Sequence, residues 1–407
     1  MNRRPFLAFA LAETLSISGT RLSTIAIPWL VLTTTGSPVL TGVVAMAEVL
    51  PYVVAKALSG PLIDRIGPKR VAIGCDAASV VVVGLVPLLA LLGWLGLELL
   101  LPIVVAMGIL RGPSDAAKIS MVPAIAKLAD VPLERVTGVA GVIERLASTV
   151  GAAAAGGLIA LIGPGLALAL NAATFALAAV VVATGIPAFG REPAESRGSY
   201  FAELREGFDF IRRDALLVGI VVMITATNLL DAAWSAVLLP VWTQQAGFDA
   251  ALLGLLFAVM SAASIGGAAI ATATGERLPR LTVYIVAFLL AGLPRFAVFA
   301  IDAPLLAVFV TLALGGFAAG FINPIVNAVI MERIPPAMIG RASALVGALA
   351  WALIPFGGLV GGGLIALVGL PPTLWLTGLA YVAATLLPLA RRSFRAFGSR
   401  PGEVEPA

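Results

Sequence analysis

The amino-acid sequence predicts an all-α integral membrane fold of twelve membrane-crossing helices in two pseudo-symmetric six-helix bundles, and three observations carry that prediction. The first is composition: 60% of the 407 residues are apolar and 12% are charged, and the mean hydropathy is +1.05, outside the range of water-soluble domains. The second is segmentation. Apolar stretches long enough to cross a hydrocarbon core of about 30 Å, which takes about 20 helical residues, alternate with short charged islands. They lack the period-two alternation of a membrane barrel. An unpaired backbone amide in lipid costs several kcal/mol, and only a helix satisfies its backbone within one segment. The third is an internal repeat. Pro28 and Pro240, Gly42 and Gly254, Asp64 and Glu276, Arg65 and Arg277, and Gly108 and Gly320 each stand 212 residues apart, as expected of a duplicated six-helix unit.

The spans read as 6–33, 39–59, 71–93, 98–120, 137–161 and 164–186 in the first half. Those of the second half are 215–239, 250–273, 281–300, 303–330, 342–367 and 371–390. This divides the chain into an N-terminal bundle (1–186), a linker (187–214) and a C-terminal bundle with a short tail (215–407). In the linker Phe201, Leu204, Phe208 and Ile211 recur at helical spacing among charges, which predicts an amphipathic surface helix. The first span follows Arg3 and Arg4 like a signal peptide but is too long for one, and is read as retained. Twenty of the 26 Lys and Arg residues fall at the termini or in even-numbered connections. The other six, Arg21, Lys56, Arg111, Lys118, Arg145 and Arg295, fall inside spans, and the opposite connections carry only Glu98, Asp249 and Asp302. Both termini are therefore expected on the cytoplasmic side of a bacterial inner membrane. The pI of about 9.6 then reflects cations facing anionic lipid; no basic stripe with interleaved aromatics suggests nucleic acid. One cysteine, Cys75, permits no internal disulfide.

The connection between the second and third spans reads Gly60, Pro61, Leu62, Ile63, Asp64, Arg65, Ile66, Gly67, Pro68, Lys69, Arg70. A glycine allows close helix approach, a carboxylate can cap a helix N-terminus, and a basic cluster pairs with acidic groups and lipid phosphates. This segment resembles the loop signature of the major facilitator superfamily, G-x-L-x-D-R-x-G-R-[KR], with Pro68 in place of the first basic residue of the final pair. A weaker copy stands at Gly275, Glu276 and Arg277. The resemblance implies the major facilitator fold, alternating access, and a cytoplasmic gate held by Asp64, with a partner near Gly340 and Arg341. Ser18-Gly19, the run Ile27 to Leu32, Thr35 to Pro38, and Gly112-Pro113 to Pro123 are similar to the macrolide-efflux and Tap-type multidrug exporters of that superfamily. Two departures bear on coupling. Ala152 stands where many drug–proton antiporters have a proline in the fifth helix, and Thr20-Arg21 follow Gly19 where relatives often have an acid.

Coupling must then come from the intramembrane charges themselves. A charge at a helix centre costs about 2.5 to 3.5 kcal/mol and usually faces a cavity or a partner. There is no histidine, so a proton carrier near neutral pH must be a carboxylate whose pKa is raised by desolvation or a base modulated by a partner. Glu13, Glu48 and Asp231 lead that list, in this order, followed by Asp115 and Glu144. Arg21, Lys56, Arg111 and Arg145 are the candidate partners: Arg111 and Asp115 are four apart on one helix, while Glu144 and Arg145 diverge by about 100° and belong to separate networks. Asn228, Trp234, Phe257, Phe317, Phe321 and Trp351 are candidate cavity residues for an amphipathic substrate. The function expected is secondary active export of amphipathic drugs or small lipophilic compounds in exchange for protons, by a monomer among membrane lipids, without cofactor or metal. An exporter of a metabolite or siderophore, a lipid flippase and an importer remain alternatives. A membrane-embedded enzyme is disfavoured, because the chain has no histidine for a metal cluster or a Ser/His pair, no CxxC and no P-loop.

Overall fold

The computed structural model describes residues 3–187, 200–274, 279–335 and 339–386, with 389, 394 and 397. The described residues hold helices and no strand. Ten helical stretches are long and apolar enough to cross a membrane, and an eleventh, Leu370–Leu386, is apolar but shorter. One of the ten, Arg135–Gly185, runs for 51 residues and turns at Gly163, whose φ of 79° and ψ of 160° precede Pro164. It therefore supplies two crossings, which brings the total to the expected twelve. Glycine tolerates that backbone where a side chain would be strained, and the proline starts the next helix.

Contacts divide the chain into two compact units, Met1–Ala194 with Leu239–Ala258, and Glu195–Leu238 with Val259–Ala407. The stretch 239–258 was expected wholly within the second bundle, yet it packs with the first unit. There Gly156 and Gly254 lie against each other's backbones, and Gln244 donates to the Leu32 carbonyl at 3.3 Å. In this unit α1 (Arg4–Thr35) packs on α7 (Ala152–Gly185), and α2 (Pro38–Leu58) on α5 (Leu97–Ala129). The short α3 (Gly60–Ile66) leads to α4 (Pro68–Leu91), which packs on both α5 and α7. A π-helical turn, Ala147–Gly151, joins α6 (Leu133–Leu146) to α7. Helix ends follow local rules. Gly36 ends α1 in the left-handed region, its N–H bonded to the Leu32 carbonyl at 2.8 Å, and the Ser37 hydroxyl accepts from the Leu40 N–H to start α2.

In the second unit the linker carries α8 (Tyr200–Arg213), with Ile211 buried and Phe208 half exposed; residues 188–199 and the side chains of Phe201 and Leu204 lie outside the described residues. Next come α9 (Ala215–Ala233) and a π-helical turn at Trp234–Leu238; α10 (Leu239–Gln245) and α11 (Ala250–Thr274) as far as Ala258 belong to the first unit, and α11 continues in the second from Val259. Two expected spans are each broken in two. The ninth becomes α12 (Arg280–Ala291) and α13 (Leu293–Ala300) around Gly292, just ahead of Pro294. After α14 (Leu305–Arg333), the eleventh becomes α15 (Ile339–Trp351) and α16 (Ile354–Val368), with Pro355 in the new first turn. The last helix is α17 (Leu370–Leu386). Proline ends the ladder of the preceding turn while fitting the start of a new helix.

The repeat survives in the packing, with one correction. Gly108 lies on the backbone of Glu48 and Tyr52, and Gly112 on that of Tyr52 and Lys56. In the second unit Gly316 lies on Met260, and Gly320 on Ser264 and Ala268. The receiving residues keep the offset of 212 (48 to 260, 52 to 264, 56 to 268), whereas the glycines match at 208 (108 to 316, 112 to 320). Gly108 therefore corresponds to Gly316, one helical turn before Gly320. The same close approach of two helices is built twice, and only small residues permit it.

Candidate functional site

Charged and polar side chains inside the first unit form two networks. On α2 and α5, the Arg111 guanidinium lies 3.7 Å from Glu48 and 3.8 Å from Asp115, and 4.8 Å from the centre of the Tyr52 ring. The Tyr52 hydroxyl donates to Asp115 at 3.1 Å and accepts from Lys56 at 2.9 Å. Separations near 3.7 Å are ion pairs without a good hydrogen bond, so Arg111 is shared between two carboxylates and locked to neither. Beside Glu48 and Arg111 a space of about 10 Å³, bordered also by Thr20, Ser23 and Ser79, has the size and the polar neighbours that a single water needs.

The second network was not foreseen. Lys118, fully buried on α5, donates to Ser16 of α1 at 2.7 Å and lies 2.9 Å from Asp76 of α4, which also accepts from Ser114 at 2.6 Å. Asp76 and Lys118 were legible as charges within apolar spans, but nothing local in the sequence says that they meet. Glu13 sits half-buried on α1 within electrostatic reach of Lys118, Asp115, Glu144 and Asp76. It has no hydrogen-bond or ion-pair partner among the described residues. Of the rival pairings weighed from sequence, neither Arg21 nor Lys56 neutralises Glu13 or Glu48: Arg21 bonds Glu144 and Lys56 bonds Tyr52. Arg145 is exposed, as is Glu144.

The loop motif resolves into parts. Gly67 has φ of 95°, which favours glycine, and Pro68 occupies the first turn of α4, where its fixed φ is suited. Lys69 donates to the carbonyls of Ala183 and Ile186, at 2.9 and 2.6 Å, at the C-terminal end of α7; Arg4 donates to the Thr184 carbonyl there at 3.2 Å. Cations at that end satisfy orphan carbonyls and oppose the helix dipole. Asp64 is exposed and caps no helix: α4 starts without a side-chain cap. Gly60 and Arg70 are exposed. The side chain of Arg341 and residues Gly275, Glu276 and Arg277 lie outside the described residues.

In the second unit a cavity of about 450 Å³ opens between α9, α12, α14, α15 and α17. Asn228, Asp231, Asn323, Asn327, Tyr381 and Trp351 are among its lining residues. Arg295, buried at the start of α13, hydrogen-bonds Asp231 and is enclosed by the rings of Trp234, Phe296 and Tyr381 at 5.1, 4.8 and 5.0 Å from their centres. Of the residues expected to line a cavity, Asn228 and Trp351 do so here. Trp234 does not: it is buried behind the wall as a flank of Arg295. Phe317 and Phe321 pack edge to face with centroids 5.4 Å apart and lie outside this lining, as does Phe257 on α11. The cavity's asparagines on α14 were missed, although Asn323 and Asn327 stand one turn apart inside an apolar span. Outside the membrane, Asp214 starts α9 by accepting from the N–H groups of Leu216 and Leu217 at 2.9 and 3.2 Å and from Arg333 at 2.7 Å. Partial burial raises its pKa, but those bonds outweigh it and hold the carboxyl below the usual aspartate value. Among the described residues no three metal-ligating side chains converge.

The family model of the Major Facilitator Superfamily matches residues 9–280 and, in a second match, 221–405. The chain belongs to the Major Facilitator Superfamily. This facilitator is 29% identical over 406 residues to the multidrug efflux pump Tap of Mycobacterium bovis (strain BCG / Pasteur 1173P2), covering 98% of this chain and 96% of the relative. It is 27% identical over 380 residues to the multidrug efflux pump Tap of Mycolicibacterium fortuitum, covering 91% of each. Among solved structures, the nucleoside transporter NupG superposes with a TM-score of 0.75 at 15% identity, over 96% of this chain and 99% of that one; at that identity the likeness shows the shared fold. The protein is thus a multi-pass membrane transporter of small molecules.

Proposed function

We propose that this facilitator exports amphipathic small molecules from the cytoplasm across the bacterial inner membrane in exchange for protons, as a monomer with both termini cytoplasmic. The observation that carries the reading is the cavity of the second unit, whose lining combines the amides of Asn228, Asn323 and Asn327 and the Asp231 carboxylate with apolar Ile322, Val326 and Ile330. Such a surface suits a molecule with one polar and one apolar face. The full-length likeness to efflux pumps supports the outward direction. For the proton, Glu13 is the strongest candidate, because Glu48 shares Arg111 with Asp115, and Asp231 and Glu144 are bonded to arginines. A carboxylate without a fixed cation can gain and lose a proton without leaving a buried partner charge behind. Purified protein in liposomes with an imposed pH gradient tests this. Wild type should concentrate a fluorescent amphipathic dye, and Glu13→Gln should still exchange dye across the membrane but no longer concentrate it. If all five amide variants, at Glu13, Glu48, Asp115, Glu144 and Asp231, concentrate dye with the pH dependence of the wild type, antiport through these five carboxylates is wrong.

A further inference from the structure

We infer that the cavity of the second unit selects uncharged ring compounds bearing several hydrogen-bonding groups, and disfavours permanent cations. The inference rests on reading that cavity as the substrate site. Among the described residues its only lining carboxylate is Asp231, and the charge of that group is already met by Arg295. The guanidinium is held from behind by three aromatic rings, so it has no aqueous route of retreat. A cationic substrate that took Asp231 for itself would strand a buried arginine, and an uncompensated buried charge is strongly unfavourable. Charge is therefore spent inside the protein, and amides are what the cavity offers.

Those amides are open. Asn323 and Asn327 occupy the same face of α14, both are exposed to the cavity, and neither has a hydrogen-bond partner among the described residues. Asn228 donates its Nδ2 to the Ala350 carbonyl at 2.9 Å, which leaves its Oδ1 as an acceptor. A carboxamide both donates and accepts, and in a membrane helix it stays unmet only where water or ligand reaches it. Trp351 is 46% exposed at the end of α15, and its ring can cover the face of a planar group. Neutral rings carrying hydroxyl, carbonyl or amide groups match this set of donors, acceptors and aromatic surface; a lipophilic cation with no hydrogen-bonding group meets only the aromatic part of it and leaves the amides unmet.

The test uses two probes on the full-length protein in detergent: chloramphenicol, an uncharged arene with an amide and two hydroxyls, and the tetraphenylphosphonium cation. Calorimetric titration should show saturable chloramphenicol binding that tetraphenylphosphonium does not displace. Asn323→Ala with Asn327→Ala should weaken it about 5- to 150-fold, the loss expected for two neutral hydrogen bonds. Asn327→Asp, which adds an unneutralised carboxylate at the same place, should let the cation bind, and this gain cannot arise from misfolding. Wild type that binds the cation as tightly as chloramphenicol, or chloramphenicol binding indifferent to both asparagines, overturns the inference. So does a complete failure of chloramphenicol to bind. If binding follows the asparagines while neither probe moves in liposomes under a pH gradient, the proposed export fails and the selectivity stands.

Discussion

Lys118 and Asp76 set the energetic stakes at the scale of single residues. Each is at most 2% exposed, and each is tolerable only because the other is present together with the hydroxyls of Ser16 and Ser114. Removing one partner from a buried pair costs about 3–5 kcal/mol, whereas replacing both by neutral groups of similar volume is often close to neutral. Lys118→Met should therefore lower the unfolding midpoint in detergent sharply, and adding Asp76→Asn should restore much of it. A double variant that loses the sum of what Lys118→Met and Asp76→Asn lose singly would mean that the two charges are independent. Asp214 makes a second case, on the aqueous side. Its pKa is depressed in the folded protein, so the stability it contributes is fully present above the usual aspartate value and is lost as pH falls through the depressed one. Asp214→Ala should cost about 1 kcal/mol near neutrality, and the gap to wild type should close on acidification through that window. A gap constant with pH would show that the carboxylate charge is not the source.

At the scale of elements, glycine contacts fix how far and at what register the helices meet. A Cβ at Gly112 or Gly320 would strike the backbone of the neighbouring helix, near Tyr52 and Lys56 or near Ser264 and Ala268, whereas one at Gly138 meets nothing within 4 Å. Overpacking of this kind costs about 1–3 kcal/mol. Gly112→Val and Gly320→Val should thus be destabilised by similar amounts and Gly138→Val far less, as thermal unfolding in detergent can rank. Similar losses at all three positions would remove the argument for a duplicated helix contact. The repeat was visible in the sequence through Pro28 and Pro240, but its register in α5 and α14 was not. A four-residue change leaves hydropathy unchanged while moving a contact by one turn.

For the whole molecule the open question is the gate. Asp64 is exposed, has no hydrogen-bond or ion-pair partner among the described residues and caps no helix, so Asp64→Asn should change thermal stability by no more than about 0.5 kcal/mol. If Asp64 serves the closed state of the cytoplasmic side, the same variant should nevertheless lose most of its export while inserting normally. Intact transport, or a stability loss that matches the transport loss, would remove the gating role. Lys69 is the contrast. It bonds two carbonyls at the end of α7, so its substitution should lower both stability and transport.

The sequence by itself determined the membrane class, the helical architecture and the superfamily, because a bilayer makes each segment satisfy its own backbone and shed its charges locally. Twenty apolar residues in a row carry that information without reference to any neighbour. The loop from Gly60 to Arg70 was legible as a family signature, but its contacts were not: a Cβ at Gly60 would meet nothing within 4 Å, and Asp64 caps no helix. The pair of Arg111 and Asp115, four apart on one helix, was legible, but only the tertiary structure decided which charges meet between helices: Arg111 with Glu48, Lys118 with Asp76, Arg295 with Asp231. It also left Glu13 without a hydrogen-bond or ion-pair partner among the described residues and opened a cavity beside Asn323 and Asn327. Partner choice depends on the rotation and axial shift of one helix against another, and those are set by backbone contacts at glycines far apart in the chain, which no local pattern records.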